Sequence, residues 1–543
     1  MLQKQSLLTS LFIAVLVVST LIKVLSVWNY NLPFTFDQGR DMIDLRRMVV
    51  THTPRLVGPT TSINGVLLGP FYYYFILPPF LIFGGDPLAI ILWQSLWFQL
   101  AVIFLWFILK RKSLIQANIT GILLLLMPIG FYNARMFFNA NLMPVFTILF
   151  FATLIWALSP NTSLRGAERR GNLFKLFILG LVSGLSLQIE AAFGILFFPF
   201  ALLFVFFICH SGLDPESIKI KFKTTLPLLF GFLLTLIPQV LFEFRHGFQM
   251  TKILVSEFAG RSAILGPQLD WGEKLTERGL ILVNLLRDTN HIPFEILQVI
   301  YWTLIAVAFV FFFLYRQKEN KVPNNLLSMS TFFIIFTFAF YLFFPQQVKH
   351  WYVLGLSVPL VLLFSSLLER IYIMSLFSAF LIWFFLLFAL FHTLKAHTEY
   401  ITQNSLTNES SDPSNLRNEM KAVDWVYSEA RGRGLRVYSY VPPIYDFAFQ
   451  HVFWWYGTRK YGYQPEDIAY LPGQPEYMLD RKQAWTKTRP TKSGTPVYLI
   501  IQGDGDHSKR FQEWQGNFAY LCQVKEQQIM ESLKVMELTS CLK

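Results

Sequence analysis

The stretch Phe36-Asp37-Gln38-Gly39-Arg40-Asp41, followed by Asp44, Arg46 and Arg47, concentrates ionisable side chains in an otherwise apolar chain. If a helix begins near Asp37, then Asp37, Asp41 and Asp44 fall at i, i+4 and i+7, on one face. Like charges so placed repel, which argues against a role in helix stability alone. One carboxylate here can serve as a general base, with Arg40 three residues on keeping it ionised or orienting it. A purely structural reading makes Asp37 the helix N-cap and the remainder a solvated face.

A second group is basic. Arg135 sits in Tyr132-Asn133-Ala134-Arg135, Arg245 and His246 follow Glu243-Phe244, and Lys349 and His350 precede Trp351 and Tyr352. Each borders an apolar run. Cations gathered at a membrane interface suit a lipid phosphate, because charge-assisted bonds to phosphate are strong there. The bland alternative is snorkelling and aromatic anchoring. Glu190 stands between two apolar runs, placed to orient an acceptor or pair with one of the cations, or else as a solvated loop residue. His and Cys form no metal-binding spacing, and no phosphate-binding P-loop motif occurs. Asp37 and Asp41 can together hold Mg²⁺ or Mn²⁺, but one pair does not make an oxygen-rich cage, so the sequence demands no cofactor and leaves a divalent metal open.

The elements that must position these residues are membrane helices. Of 543 residues, 54% are hydrophobic and only 15% are charged, against about 25% charged in soluble domains. Eleven spans are expected: Leu7–Val27, Leu88–Leu109, Leu114–Phe131, Leu142–Leu158, Leu176–Leu187, Ala191–Cys209, Leu226–Phe242, Ile292–Tyr315, Leu326–Phe344, Trp351–Leu368 and Ile371–Phe391. The segment Leu67–Phe83 is apolar but interrupted by Pro70, Pro78 and Pro79. It reads as a helix lying at the interface. With that choice, fourteen Lys and Arg residues fall in the short loops of one side, and only Arg135 and Lys349 in those of the other. The basic side is then cytoplasmic, with the amino terminus. The net charge of +12 is thereby a topology signal, and nucleic acid is not an expected partner.

The long first loop, 28–86, and everything after His392 then lie outside. Residues 1–395 form the transmembrane domain and 396–415 a Ser/Asn/Asp-rich linker. Residues 416–543 form a small α/β domain, with a helix over Leu416–Ala430 and strands over Arg436–Val441 and Val497–Ile501. Cys522 and Cys541 are the only cysteines in that domain, and an oxidising compartment permits their pairing.

The order of these pieces resembles the GT-C glycosyltransferases. It is most similar to the bacterial relatives of protein O-mannosyltransferases and of the lipid A aminoarabinose transferase, glycosyltransferase family 39. The resemblance rests on Phe36-Asp37-Gln38-Gly39-Arg40-Asp41, Gly58-Pro59-Thr60-Thr61-Ser62 and Gly69-Pro70-Phe71-Tyr72-Tyr73-Tyr74. It continues in Asn133-Ala134-Arg135, Asn139-Ala140-Asn141-Leu142-Met143-Pro144, Phe244-Arg245-His246-Gly247-Phe248, Lys349-His350-Trp351-Tyr352 and, near the carboxyl terminus, Phe453-Trp454-Trp455-Tyr456-Gly457 with Lys460-Tyr461-Gly462-Tyr463.

The resemblance implies a bacterial plasma-membrane enzyme moving a sugar from a polyprenyl-phosphate donor to a protein, lipid or glycan acceptor at the outer face. Asp37 takes the place of the catalytic base, where the family often has an Asp-Glu pair and this chain has Asp37-Gln38; Asp41 is the natural substitute for the second acid. Arg135, Arg245, His246, Lys349, His350 and Tyr352 are then expected at the donor phosphate, and Glu190 and Arg40 in acceptor binding or orientation. Two other readings are a transporter or flippase of lipid-linked sugars and a catalytically silent scaffold. Transporters place ionisable groups at the bilayer midplane and show inverted repeats, whereas here the candidates border the spans and no repeat is evident.

Overall fold

The computed structural model of the protein describes residues 2–158, 170–208, 215–258, 269–289, 326–344, 347–407, 410–442, 445–473, 495–503 and 508–541. The expected span Ile292–Tyr315, Cys209, and the basic residues Arg165, Arg169, Arg316, Lys318 and Lys321 lie outside them.

Helices dominate. In chain order they are α1 (Leu2–Ser26), α2 (Phe36–Thr51), α3 (Phe71–Ile82), α4 (Pro87–Leu109), α5 (Leu114–Leu126), α6 (Pro128–Asn133), α7 (Met143–Ala157), α8 (Arg170–Ile189), α9 (Ala191–Gly194) and α10 (Phe197–Ile208). There follow α11 (Pro215–Arg245), α12 (Gln249–Phe258), α13 (Trp271–Thr289), α14 (Leu326–Phe343), α15 (Ser357–Met374) and α16 (Leu376–Tyr400). Among the described residues, seven helical segments are long and apolar enough to cross a membrane. The protein is a multi-pass membrane protein.

Several expected edges move. The run Leu114–Phe131 is broken at Met127, because Pro128 opens a separate helix. The break expected after Leu368 falls instead at Ser375. α15 carries Glu369 and Arg370 on to Met374, and Ser375 caps α16 by accepting a bond from Ser378 N at 3.0 Å. Two charges do not stop a helix; a capping hydroxyl starts the next one. α3 has only twelve residues, about 18 Å of rise, too short to cross a bilayer. Its Tyr72, Tyr73, Ile76 and Phe80 are buried against protein.

The abundant phenylalanines interlock the helices. Phe150, Phe197, Phe200 and Phe333 join α7, α10 and α14 through ring contacts of 4.5–6.2 Å. α8 and α11 approach through glycines four residues apart. A Cβ on Gly180 would meet Leu228 O at 2.1 Å, and one on Gly184 would meet Thr235 Oγ1 at 2.1 Å, the close crossing that small residues permit within a membrane.

After α16 the helix widens into a π turn over Ile401–Ser405, so the first half of the expected linker is helical. Then come α17 (Leu416–Ala430), α18 (Phe447–Val452), α19 (Thr458–Tyr461) and α20 (Ser508–Gly516), with a five-stranded sheet. Its strands are β1 (Arg436–Tyr440), β2 (Asp467–Ala469), β3 (Val497–Gln502), β4 (Leu521–Met530) and β5 (Leu533–Ser540), in the order β2-β1-β3-β5-β4. β2, β1 and β3 are parallel; β5 and β4 return antiparallel. Cys522 and Cys541 are bonded, with Cα atoms 5.0 Å apart, and tie edge strand β4 to the end of β5.

This sheet domain is docked on the loop 28–86. Phe34 N donates to Ser414 O at 2.7 Å, Leu416 N to Leu32 O at 2.9 Å, and Arg417 Nε to Asn29 O at 2.8 Å. His451 Nε2 lies 2.9 Å from Gly85 O, and Trp454 stacks on Phe80. Gly39 of α2 faces the backbone of α18, where a Cβ would come within 2.4 Å of Ala448 N. The loop and the sheet domain therefore lie on the same face of the molecule.

Candidate active site

The capping of α2 differs from the expectation that Asp37 supplies it. Thr35 is the N-cap, and its amide donates to Gln38 Oε1 at 3.0 Å as half of a capping box. Gln38 Nε2 donates onward to Phe137 O at 2.9 Å. Asp37 is the second helical residue and carries no capping duty. The Thr-x-x-Gln signature is legible in the sequence at positions 35–38.

The three aspartates share a face, and their repulsion is offset by neighbours. Arg40 Nη1 donates to Asp37 Oδ1 at 2.7 Å, and its Nε and Nη2 reach Asp41 Oδ1 at 3.0 and 2.8 Å. Tyr73 OH donates to Asp44 Oδ2 at 2.7 Å and lies 3.3 Å from Asp41 Oδ1. Arg55 pairs with Asp44. Their environments differ. Asp37 keeps 41% of its side chain exposed, Asp41 only 1%. Burial raises the Asp41 carboxyl to about 7 even though Arg40 opposes the shift. A carboxylate open to an incoming molecule thus adjoins one enclosed in protein.

Asp37 opens into a cavity of about 470 Å³. One wall is a small hairpin formed by the Gly58-Pro59-Thr60-Thr61-Ser62 motif. Gly58 N donates to Leu68 O at 2.8 Å, Leu68 N to Pro59 O at 2.9 Å, and Thr61 N to Val66 O at 3.0 Å. Both glycines are needed for close approach: a Cβ on Gly58 would sit 2.1 Å from Gly69 O, and one on Gly69 would strike Gln188. Arg40 Nη1 also donates to Thr60 Oγ1 at 3.0 Å, fixing the hairpin to α2. Besides Asp37, the polar lining of the cavity is Thr60, Thr61, Ser62, Asn139, Glu190, Gln239 and Tyr352; the rest, including Leu187, Ile195, Leu254, Phe340 and Trp351, is mainly apolar. Asn139 is held by a 2.7 Å bond to Ile189 O.

Glu190 is buried, not solvated, and its carboxylate accepts from Ala192 N at 3.3 Å at the start of α9. Burial raises its carboxyl to about 7, against that one backbone bond. The expected basic set is dispersed. Tyr352 lines the cavity beside Trp351, and the Lys349 ammonium stands 5.2 Å from the Trp351 ring. His350 is exposed. Arg245 and His246 are exposed at the end of α11, the His246 ring stacked on Phe242, and neither lines the cavity. Arg135 packs elsewhere, 3.3 Å from the Tyr400 ring and 3.0 Å from His397 Nδ1. Among the described residues, no three His, Cys, Asp or Glu side chains gather as metal ligands. Sequence reasoning missed Asn139, Gln239 and the Thr60–Ser62 wall as site residues. The first and last lie in motifs already conspicuous, but nothing local marks Gln239.

No protein-family model matches the sequence, and neither does any curated protein. Solved structures do match. ArnT from Cupriavidus metallidurans in its apo state has a TM-score of 0.59 and 12% identity over 97% of this chain and 98% of that one. The same protein bound to undecaprenyl phosphate gives a TM-score of 0.59 and 12% identity over 97% of each. An Archaeoglobus fulgidus oligosaccharyltransferase covers 76% of this chain and 55% of its own, at a TM-score of 0.41 and 15% identity. The near-complete coverage shows that this chain shares the fold of ArnT.

Proposed function

We propose that the protein is an inverting glycosyltransferase that takes a sugar from a polyprenyl-phosphate donor, with Asp37 as general base. The observation that carries this reading is the placement of Asp37. It is a partly exposed carboxylate opening into a largely apolar cavity of about 470 Å³, in a fold shared with a protein solved bound to undecaprenyl phosphate. The apolar lining residues suit an isoprenoid chain and the polar ones a sugar phosphate. Asp37 accepts the proton of the acceptor's nucleophile as that atom bonds to the anomeric carbon. The bond from that carbon to the phosphate oxygen breaks, and its electron pair stays on the phosphate. Phosphate is a good leaving group once its charge is met, so one base and nearby cations suffice. Lys349, next in sequence to the cavity residues Trp351 and Tyr352 though outside the lining itself, is assigned to that charge, and Arg40 aims Asp37. Glu190, inside the same cavity, orients the acceptor.

In this reading the first loop and the sheet domain lie outside a bacterial plasma membrane and the amino terminus inside. The docking of the domain on the loop supports a common side, and the distribution of basic residues supports which side it is. The test is incubation of purified protein with a panel of polyprenyl-phosphate sugars, scored for sugar release or transfer, with and without EDTA, Mg²⁺ and Mn²⁺. Release from at least one donor is expected. A stable protein that releases none across the panel overturns the assignment.

A further inference from the structure

Lys23 stands in the last turn of α1 and is 2% exposed. Its ammonium lies 4.0 Å from the Phe98 ring centroid and 5.3 Å from that of Phe131, with no hydrogen-bond or ion-pair partner among the described residues. It lines a second cavity with Gln94, Ser95, Asn133 and Asn141. The Ser95 hydroxyl and both amide atoms of Asn133 are likewise buried without a protein partner among the described residues. Leaving one such group unpaired is costly, and an isolated charge far more so. Ring faces meet the ammonium only in part.

The neighbourhood contains no compensating acid among the described residues. No Asp or Glu lines this cavity. Across Phe131, whose ring is 4.2 Å from His397, lies Arg135, bonded to that histidine and with its Nε buried and unpartnered. The chain between the two cavities explains their separation: Asn139 lines the Asp37 cavity, and Asn141 lines this one. One buried cation in the cavity, a half-buried one beyond Phe131, and unused donors on Ser95, Asn133 and Gln94, with no carboxylate in the lining, favour an anion.

We propose that this cavity is a second phosphate-group site, separate from the Asp37 cavity, in which Lys23, Ser95 and Asn133 hold the phosphate of an anionic lipid. Its free space of about 20 Å³ admits phosphate oxygens and no sugar, a water-sized volume being about 10–15 Å³. The lipid assignment follows from the outer surfaces of α1, which carries Lys23, and of α16, which packs on α1. α1 exposes Ile13, Val17 and Leu21, and α16 exposes Phe384, Leu387 and Phe391. Acyl chains lying on these faces leave a headgroup at the level of Lys23. Charge-assisted bonds from an ammonium and neutral donors are the usual means of holding phosphate.

The test uses full-length protein, delipidated in detergent and titrated by native mass spectrometry. The probes are dioleoyl phosphatidylglycerol, dioleoylglycerol, which lacks the phosphate, and inorganic phosphate as a competitor. Phosphatidylglycerol is expected to bind and dioleoylglycerol to bind at least tenfold more weakly. Lys23→Met should weaken phosphatidylglycerol binding at least tenfold, and Lys23→Arg should keep it within a few-fold. If Lys23→Met fails to fold, Ser95→Ala and Asn133→Ala, which retain the cation, should each weaken binding several-fold. Equal phosphatidylglycerol binding by wild type and Lys23→Met, or by wild type and both alanine variants, overturns the site. Binding of inorganic phosphate without preference for the phospholipid overturns the lipid assignment. Sugar release, measured on the same preparations, reports separately on the Asp37 reading.

Discussion

Replacing Asp37 by asparagine removes one charge and almost no volume, so its consequences can be apportioned. The structural losses are small. Asp37 caps nothing, since Thr35 is the N-cap. Its pair with Arg40 is 41% exposed on the aspartate side, and such pairs are worth about 0.2–1 kcal/mol. An anion in the first turn of a helix adds about 0.3–1 kcal/mol. The introduced amide oxygen can still accept from Arg40, so the variant should lose no more than about 2 kcal/mol of stability, the sum of those two terms, and remain folded. The catalytic loss is larger. A positioned general base supplies about 10²–10⁴-fold, equivalent to about 2.7–5.4 kcal/mol of barrier. The assay measures sugar release from the polyprenyl-phosphate donor by wild type and Asp37→Asn, alongside donor affinity and melting temperature. The expected variant binds donor normally, melts within a few degrees of wild type and turns over at least a hundredfold more slowly. Asp41→Asn should lose less, because that carboxylate is enclosed and touches Arg40 and Tyr73. Normal turnover by Asp37→Asn with a dead Asp41→Asn would mean the enclosed carboxylate is the base; normal turnover by both refutes the first-loop mechanism.

Lys349→Ala should weaken donor binding by about 1.5–3 kcal/mol, the usual loss for a charged contact, while Arg245→Ala, exposed and away from the cavity, should change it less; titration of both variants checks this. Glu190 supplies a pH signature. Its folded-state carboxyl is raised from 4.5 to about 7, so its contribution to stability is complete below 4.5 and is lost as pH rises through about 7. Glu190→Gln should therefore flatten the melting-temperature profile between those values, and an unchanged slope would show that another group dominates it. Gly39→Val should undock the sheet domain from α2, since even a Cβ lies 2.4 Å from Ala448 N. Faster proteolysis after Tyr400 than in wild type is the expected readout. A periplasm-active reporter fused after Lys543 should give signal, whereas signal only from a cytoplasm-active reporter would invert the topology.

Composition and the length of apolar runs are enough to read a membrane protein, because a bilayer imposes its thickness on sequence directly. The helix over Leu416–Ala430, the core of β1 and β3, and the shared face of Asp37, Asp41 and Asp44 are legible for the same kind of reason: each depends on local periodicity or on nearby breakers. The cap is legible only as two candidates, Asp37 and the Thr35-x-x-Gln38 signature, because Asp and Thr both cap well, and only the hydrogen bonds of Gln38 choose between them. Strand β4 escapes notice because an edge strand exposed along most of its length carries no apolar alternation. The gathering of side chains is beyond sequence altogether. Arg135 and Asp37 both border the membrane in sequence, yet packing sends Arg135 to Tyr400 and His397 and leaves Asp37 lining one cavity with Glu190 and Tyr352. Lys23 reads in sequence as an ordinary basic residue near a helix end. Only the closure of α4 and α6 around it makes a buried charge. Spacing specifies which face of its own helix a residue occupies; what that face meets depends on contacts between segments hundreds of residues apart, and those are set by close packing of the whole fold.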